Sequence, residues 1–250
     1  MGALALEKCT WPEIQREIEA GRDTVVLAFG AIEQHGHHLP LSTDSVFGDE
    51  LGRALAERLD AFHAPTVRVG CSRHHLAFPG TMSIEEETFH LVVGDIVRGW
   101  ARHGFKRIVL LPTHGGNFAP LAAALERLGE VPGVKVIAIS DLALLVQATL
   151  VLGDELGIPA AEGGIHGGEW ETSMMLSLRP ELVKMDRAQP GYTGDLEPVF
   201  QALFAQGIES LSDTGVIGDP RRASAARGSR YIERILDLAA EMVERESRAA

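Results

Sequence analysis

A run of metal-binding side chains follows closely on an apolar, β-branched segment at residues 24–30. The run is Glu33-Gln34-His35-Gly36-His37-His38-Leu39-Pro40-Leu41-Ser42-Thr43-Asp44. Its two carboxylates and three imidazoles offer the oxygen and nitrogen ligands that divalent transition metals prefer. A packed core does not accept such side chains without partners, and a solvated loop rarely needs them. The pattern therefore predicts a metal site at the carboxyl end of a strand.

Segments that suit strands alternate along the chain with segments that suit helices. Predicted strands cover residues 24–30, 66–70, 106–111 and 134–139. Predicted helices cover residues 11–20, 45–59, 84–102, 117–128, 170–178 and 230–247, with Thr10 and the box Ser83-Ile84-Glu85-Glu86 as start signals. Residues 142–152 fit a helix or a strand, and residues 187–220 give no assignment. The alternation predicts one α/β domain over residues 1–250, with a mostly parallel sheet covered by helices on both faces.

Two further histidine motifs lie in glycine-rich turns. The first follows the predicted strand 106–111 and reads Thr113-His114-Gly115-Gly116-Asn117. The second reads Gly163-Gly164-Ile165-His166-Gly167-Gly168-Glu169-Trp170-Glu171-Thr172-Ser173. Asn117 suits a helix cap and Glu169 suits a solvated position, whereas the apolar surroundings of Glu171 favour a ligand role. Sites in such sheets form beyond the carboxyl ends of the strands, so we expect the motifs to converge.

Together the motifs supply five candidate metal ligands, namely Glu33, His35, Asp44, His114 and Glu171. Five are more than one catalytic zinc usually takes, so we predict two divalent metal ions with Asp44 as the bridging carboxylate. Such a site holds a hydroxide at neutral pH and polarises the bond under attack. His166 lies outside the ligand set and is predicted to move a proton as general acid or base. The alternative is that Asp44 caps a helix and the histidines are ordinary loop residues.

Composition and charge exclude several classes of partner. The net charge is −12 and no long basic stretch offsets it, which argues against nucleic acid and against an anionic membrane surface. Cys9 and Cys71 stand in unrelated contexts, so we expect reduced, buried thiols rather than a disulfide. No apolar run reaches transmembrane length and no signal-peptide pattern is visible, so we expect a cytoplasmic protein.

The order of the motifs resembles the creatininase (creatinine amidohydrolase) family. The chain carries E-x-H-G-x-H-L-P-L-x-T-D, then H-G-G-N, then H-x-G-x-x-E-T-S, and Gly70 to Thr81 resembles the family segment G-x-S-x-x-H-x-x-F-P-G-T. The resemblance implies a three-layer α/β/α fold and two metal ions per chain, zinc first and manganese or iron next. It also implies a homo-oligomer, such as a hexamer or a trimer of dimers. It assigns the five ligands named above, makes His166 the catalytic histidine, gives His38 a supporting position and gives His37 no role.

One segment departs from the creatininases proper, in which the later metal histidine stands in H-Y-E-N. Here Gly115 and Gly116 replace the tyrosine and the glutamate, so Glu171 must supply the carboxylate. This makes creatinine a poor candidate and resembles relatives that deformylate pyrimidine nucleotides or trim a modified peptide during cofactor maturation. We expect an amidohydrolase that cleaves a non-peptide or cyclic C–N bond of a small-molecule amide. The alternatives are such a peptidase and a metal-binding protein without catalysis. Arg73, His74 and His75 either line the substrate pocket or form a solvated turn.

Overall fold

A five-stranded sheet lies at the centre of the computed structural model, which describes residues 2–248. Its strands are β1 Leu4–Ala5, β2 Thr24–Phe29, β3 Phe62–His63, β4 Arg107–Pro112 and β5 Lys135–Ala138. The spatial order is β1-β3-β2-β4-β5, and every neighbouring pair is parallel. The α-helices are α1 Trp11–Glu19, α2 Thr43–Arg58, α3 Glu86–Arg102, α4 Phe118–Leu128, α5 Leu142–Glu155, α6 Ala160–Gly163, α7 Glu169–Leu178, α8 Val199–Gln206 and α9 Ala225–Arg248. In this described range, no helix has the length and apolar character to span a lipid bilayer.

The two longest strands, β2 and β4, are buried along almost their whole length. Both are nearly continuous apolar runs, as expected of parallel strands that carry helices on both faces. Their register pairs Thr24 with Arg107 at one end and Phe29 with Pro112 at the other. Because the strands are parallel and end level, the segments that follow Phe29 and Pro112 emerge side by side. This register brings the first two histidine motifs together.

Helices cover both faces of the sheet, and each face buries its own core. Val25, Leu27 and Ile108 pack against apolar side chains of α3 and α4. Val26 and Val109 belong to the opposite core, with residues of α2, α5, α7 and α9. Neighbouring residues of one strand therefore point into different cores, as the pleat requires. The predicted three-layer α/β/α fold is confirmed.

Most predicted elements occur within a few residues of their expected bounds, but the strand predicted at residues 66–70 is wrong. The chain makes only an isolated bridge there, between Val67 and Phe29, and the strand lies earlier, at β3. Pro65 separates the two pairings, and proline has no N–H with which to continue a ladder. The unassigned region 187–220 contains α8 and the 3-10 turn Ile208–Ser210, and a further 3-10 turn overlaps each of its ends.

Side-chain hydrogen bonds determine where several of the helices begin. Thr10 is the N-cap of α1, as predicted, and it forms a capping box with Glu13. The predicted box at Ser83 is wrong, because the Ser83 hydroxyl accepts a hydrogen bond from the Ser72 amide at 2.9 Å and α3 begins three residues later. The undecided segment 142–152 is helical in α5, whose first turn is capped by the Asp141 carboxylate.

A buried ionic contact joins α7 to α9. Glu169, predicted to be solvated, has no exposed surface. Its carboxylate accepts hydrogen bonds from Ser173 Oγ at 2.7 Å, Arg227 Nε at 2.6 Å and Tyr231 Oη at 2.9 Å. The prediction failed because the partners on α9 lie more than fifty residues away in the chain. The contact holds α7, which carries Glu171, against α9.

We predict that Arg227→Ala lowers the free energy of unfolding by about 3 kcal/mol, because it leaves a fully buried carboxylate without its charged partner. The control is Arg58→Ala, which removes an exposed ion pair with Asp237 and should cost less than about 1 kcal/mol. Urea denaturation measures both changes. Equal losses in the two variants would contradict a special role for the buried contact.

Candidate metal centre

Side chains from all three motifs meet beyond the carboxyl ends of β2 and β4. Glu33 and His35 follow β2, His114 follows β4, and His166 and Glu171 flank the start of α7. The residues predicted for the site are all buried, none more than 6% exposed: Glu33, His35, Asp44, His114, His166 and Glu171. The fold thus brings the predicted set together.

Asp44 lies between two histidines. Its Oδ1 atom is 3.3 Å from His35 Nε2, and its Oδ2 atom is 3.4 Å from His114 Nδ1. Ser42 is the N-cap residue of α2, so Asp44 stands inside the first turn and does not cap the helix. A carboxylate with one oxygen toward each of two imidazoles has the arrangement expected of a bridging ligand.

Glu33 faces the same space from the other side. Its Oε1 atom is 3.3 Å from His114 Nδ1, 3.3 Å from His75 Nε2 and 3.8 Å from His166 Nδ1. Glu171 lies next to His35 and His166, within reach of a shared ion, and its carboxylate accepts a hydrogen bond from the Gly167 amide. The cluster therefore has two ends, one near His114 and one near His35.

Backbone carbonyls fix the orientation of three imidazoles. A carbonyl oxygen only accepts hydrogen bonds, so the ring nitrogen that faces it must carry the proton. The other ring nitrogen is then unprotonated in the neutral ring and points into the cluster. The pairs are His35 Nδ1 with the Glu33 carbonyl at 3.2 Å, His114 Nε2 with the Cys71 carbonyl at 3.2 Å, and His166 Nε2 with the Gln34 carbonyl at 2.7 Å. This is how proteins orient histidines that bind metals.

Several polar atoms of the cluster are buried and lack a hydrogen-bond partner in the described part of the chain. They include both carboxylate oxygens of Glu33, Oδ2 of Asp44 and Nε2 of His35. Burying such atoms without partners is costly. Glu33, His35 and Asp44 each offer one ligand atom within 4.8 Å of the others, and so do His35, His166 and Glu171. The donor set and its unpaired atoms fit divalent cations.

The carboxylates dominate the protonation of the cluster. Burial opposes a charge on His35, but Asp44, Glu171 and Glu33 outweigh it and raise the pKa of His35 to about 10. Burial likewise opposes a charge on His114, and Glu33 and Asp44 raise its pKa well above the ordinary value. Burial raises the pKa of Glu171 to about 7. In the absence of metal, protons on histidines take the place of a cation.

His75 belongs to the cluster, although the sequence only suggested it as a pocket residue. The Gln34 side-chain amide donates to His75 Nδ1 at 3.0 Å and to the Gly215 carbonyl at 2.9 Å. His75 Nε2 therefore carries the proton and points at Glu33. Its place in the G-x-S-x-x-H segment was the available signal. Of its two neighbours, His74 is half-buried and lines the open space beside His114 and His166, whereas Arg73 is exposed.

Asn117 occupies the N-cap position of α4, as the sequence predicted, but its side chain makes no capping hydrogen bond. The side chain instead ties three loops of the site together. Its Oδ1 atom accepts from the Cys71 amide at 3.0 Å. Its Nδ2 atom donates to the carbonyls of Phe29 at 3.1 Å and Gly30 at 3.0 Å. Asn117 is fully buried, so it joins the ends of β2 and β4 to the segment that carries His75.

Gly116 must be a glycine. A Cβ atom there would overlap the Cys71 carbonyl oxygen and the His114 ring, and would lie 2.8 Å from Cε1 of His74. The second glycine of the H-G-G-N motif therefore allows His74 to pack closely against the backbone. A glutamate at position 116 would require these neighbours to move.

His38 supports the loop before α7, as the sequence predicted for it. Its Nε2 atom lies 2.9 Å from Thr172 Oγ1, and the Thr172 hydroxyl donates to the Gly167 carbonyl at 3.4 Å. Burial lowers the pKa of His38 to about 4, which keeps the ring neutral. His37, to which no role was given, is exposed.

A family model described as creatininase, creatinine amidohydrolase, matches residues 7–243. The chain belongs to the creatininase family. It is 30% identical over 243 residues to a mycofactocin precursor peptide peptidase of Mycobacterium ulcerans, covering 91% of this chain and 83% of that protein. It is also 30% identical over 241 residues to a creatinine amidohydrolase of Pseudomonas putida, covering 90% of each. Creatininase-family relatives therefore include enzymes that act on peptides and on creatinine.

Solved creatininase structures share the fold over nearly the whole chain. A crystal structure of a creatininase matches with a TM-score of 0.76 at 27% identity and covers 98% of both chains. A mutant creatininase of Zn–Zn type matches at 0.73 and 28% identity, covering 98% of this chain and 99% of that one. A manganese form matches at 0.74 and 27% identity, covering 98% of both. Metal-bound creatininases thus share the architecture of this chain.

We predict that Asn117→Ala lowers the free energy of unfolding by about 2–4 kcal/mol, because it leaves buried backbone groups of three loops without partners. The same variant should bind zinc more weakly, since the loops that carry the ligands lose their connection. Gln15→Ala is the control, because it removes an amide that bonds only to the exposed Glu19. Denaturant unfolding and calorimetric zinc titration measure the two effects. Unchanged zinc affinity would show that Asn117 stabilises the fold alone.

The metal-free protein is predicted to lose stability as the pH rises from about 6.5 to about 10. The folded-state pKa of His35 lies above its ordinary value of 6.5, at about 10. The stabilisation from its proton is therefore fully present below pH 6.5 and is lost as the pH passes through about 10. Bound zinc replaces the proton and should remove this loss. Thermal unfolding with chelator and with zinc measures it, and parallel pH curves for the two forms would contradict the prediction.

Proposed function

We propose that this chain is a dinuclear metal-dependent amidohydrolase that cleaves an amide C–N bond. The observation that carries the proposal is the orientation of His35, His114 and His166, each held by a backbone carbonyl with its second nitrogen facing buried carboxylates. Membership of a hydrolase family supports the reaction type. The unpaired buried oxygens of Glu33 and Asp44 support the metals.

In this proposal, Glu33 and His114 would hold one ion, His35 and Glu171 would hold the other, and Asp44 would be shared by both. Zinc is the first candidate and manganese the second, because similar creatininase structures are of zinc and manganese types. Iron suits the same oxygen and nitrogen ligands. The buried, carboxylate-rich donor set supports cation binding without separating these metals.

When bound, the ions would activate a water molecule and polarise the amide carbonyl. The oxygen of water adds to the carbonyl carbon, the C–N bond breaks, and a proton must reach the leaving nitrogen. His166 keeps its Nε2 proton on the Gln34 carbonyl, while burial lowers its pKa well below the ordinary value. Its Nδ1 atom therefore has a free lone pair at neutral pH and can carry that proton. His75 faces Glu33, with Nε2 3.3 Å from Oε1.

A peptidase is the second candidate function. It is favoured by the 30% identity to a mycofactocin precursor peptide peptidase over 91% of this chain. The two candidates share the metal chemistry and differ in the substrate, since a peptidase must accept chain on at least one side of the scissile bond. Turnover of a panel of formamides, cyclic amides and short peptides separates them.

We predict about two metal ions per wild-type chain by elemental analysis after reconstitution with zinc. Asp44→Ala should lose most of the metal, because it removes the bridging carboxylate. His166→Gln should keep the metal but lose turnover by at least about 100-fold, because only the proton carrier is removed. His37→Ala, which changes an exposed histidine of the same loop, is the control.

These variants also test the reading of the chain as a metal-binding protein without catalysis. A wild-type protein that stays free of metal after reconstitution would overturn the proposed centre. A wild-type protein with full metal content but no turnover of any panel member would favour the non-catalytic alternative. The cytoplasmic location and the homo-oligomer, a hexamer or a trimer of dimers, stay predictions. Cell fractionation tests the location, and light scattering tests the oligomeric state.

A further inference from the structure

The carboxylate–histidine cluster forms only one wall of a deep cleft. The cleft opens to solvent, and its other walls come from β4, α2, α5, α7, α8 and α9. Its floor is made of core side chains, among them Leu111, Ile139 and Met174. The space that adjoins the predicted ions is therefore apolar.

The apolar lining continues from the cluster to the mouth of the cleft. The ring of His74 stacks on that of His114 with centroids 5.7 Å apart, and it lies 4.7 Å from the ring of Phe204. Phe204 is 47% exposed, and the half-buried Leu145 and Val146 of α5 line the same cleft. A group that binds against the cluster thus meets apolar side chains between the core and the solvent.

Within the described part of the chain, the cleft has no basic side chain that would bind an anionic substituent. Among residues 2–248, the ionisable side chains that line it are three carboxylates and four histidines, and all of them belong to the cluster or contact it. No lysine or arginine lines it in that range, and Arg73 is turned to the solvent. A phosphate or a second carboxylate in the apolar part would lose its hydration without gaining a partner.

We propose that the cleft binds a substrate amide whose substituent next to the scissile C–N bond is uncharged and apolar, such as an aromatic or branched aliphatic side chain. This inference rests on the proposed function, because it places the amide carbonyl at the cluster and the substituent against Leu145, Val146 and Phe204. It disfavours pyrimidine nucleotides, which need a phosphate site. It also disfavours creatinine, which is small and polar.

The test uses hydroxamates, which share a metal-binding head group and differ in their tails. Acetohydroxamate, 3-phenylpropionohydroxamate and succinic monohydroxamate are titrated calorimetrically into the zinc-loaded protein. Burial of a phenyl tail should give about 10–100-fold tighter binding than acetohydroxamate. The succinic tail, which carries a carboxylate, should give no gain or a loss.

Two matched variants of α5 locate the tail. Val146→Asp places a charge on the cleft and should remove the difference in affinity between 3-phenylpropionohydroxamate and acetohydroxamate. Val151→Asp makes the same change on the same helix, at a residue that is 52% exposed and does not line the cleft, and should keep the gain. Circular dichroism checks that α5 stays folded in both.

The outcomes separate this inference from the proposed function. If acetohydroxamate binds but the phenyl tail gives no gain, or if Val151→Asp removes the gain as Val146→Asp does, the apolar subsite is wrong and the metal centre stands. If no hydroxamate binds to protein that elemental analysis shows to be zinc-loaded, the proposed reaction centre itself fails, and the inference fails with it.

Discussion

The burial of three carboxylates in one space is the constraint on which the rest of this structure depends. Glu33, Asp44 and Glu171 would repel one another in a medium of low polarity, and histidines surround them instead of arginine or lysine. Without a metal, the arrangement holds protons on His35 and His114. Positive charge stabilises such a buried cluster of carboxylates, and divalent cations fit its donor atoms.

The parallel register of β2 and β4 makes this concentration of charge possible. Because the strands end level, two ligand-bearing segments leave the sheet side by side. Asn117 then fixes both strand ends to the segment that carries His75, and Glu169 fixes α7 through its contact with α9. Backbone carbonyls orient the imidazoles, as they do for histidines that bind metals in other proteins.

The parts of the site that could be predicted are those whose signal is local. The run from Glu33 to Asp44 places ligands within one loop after a strand, and their chemistry is visible without the fold. The side-chain partners of Asn117 and the burial of Glu169 were missed for the opposite reason. Their hydrogen-bond partners lie 46 to 88 residues away for Asn117, and the two α9 partners of Glu169 lie 58 and 62 residues away. A prediction from neighbouring residues alone can assign such side chains only to a helix cap or to the solvent.

The sequence by itself determined the α/β class, the central strands and the kinds of side chain offered to a metal, because periodicity and residue chemistry act over short stretches of chain. Only the tertiary structure decided which ring nitrogen of each histidine faces the carboxylates, since the carbonyls that fix the rings include those of distant segments. It also decided that the space beside the cluster is apolar and without lysine or arginine among the described residues. That space exists only where β4 and several helices, far apart in the chain, pack together.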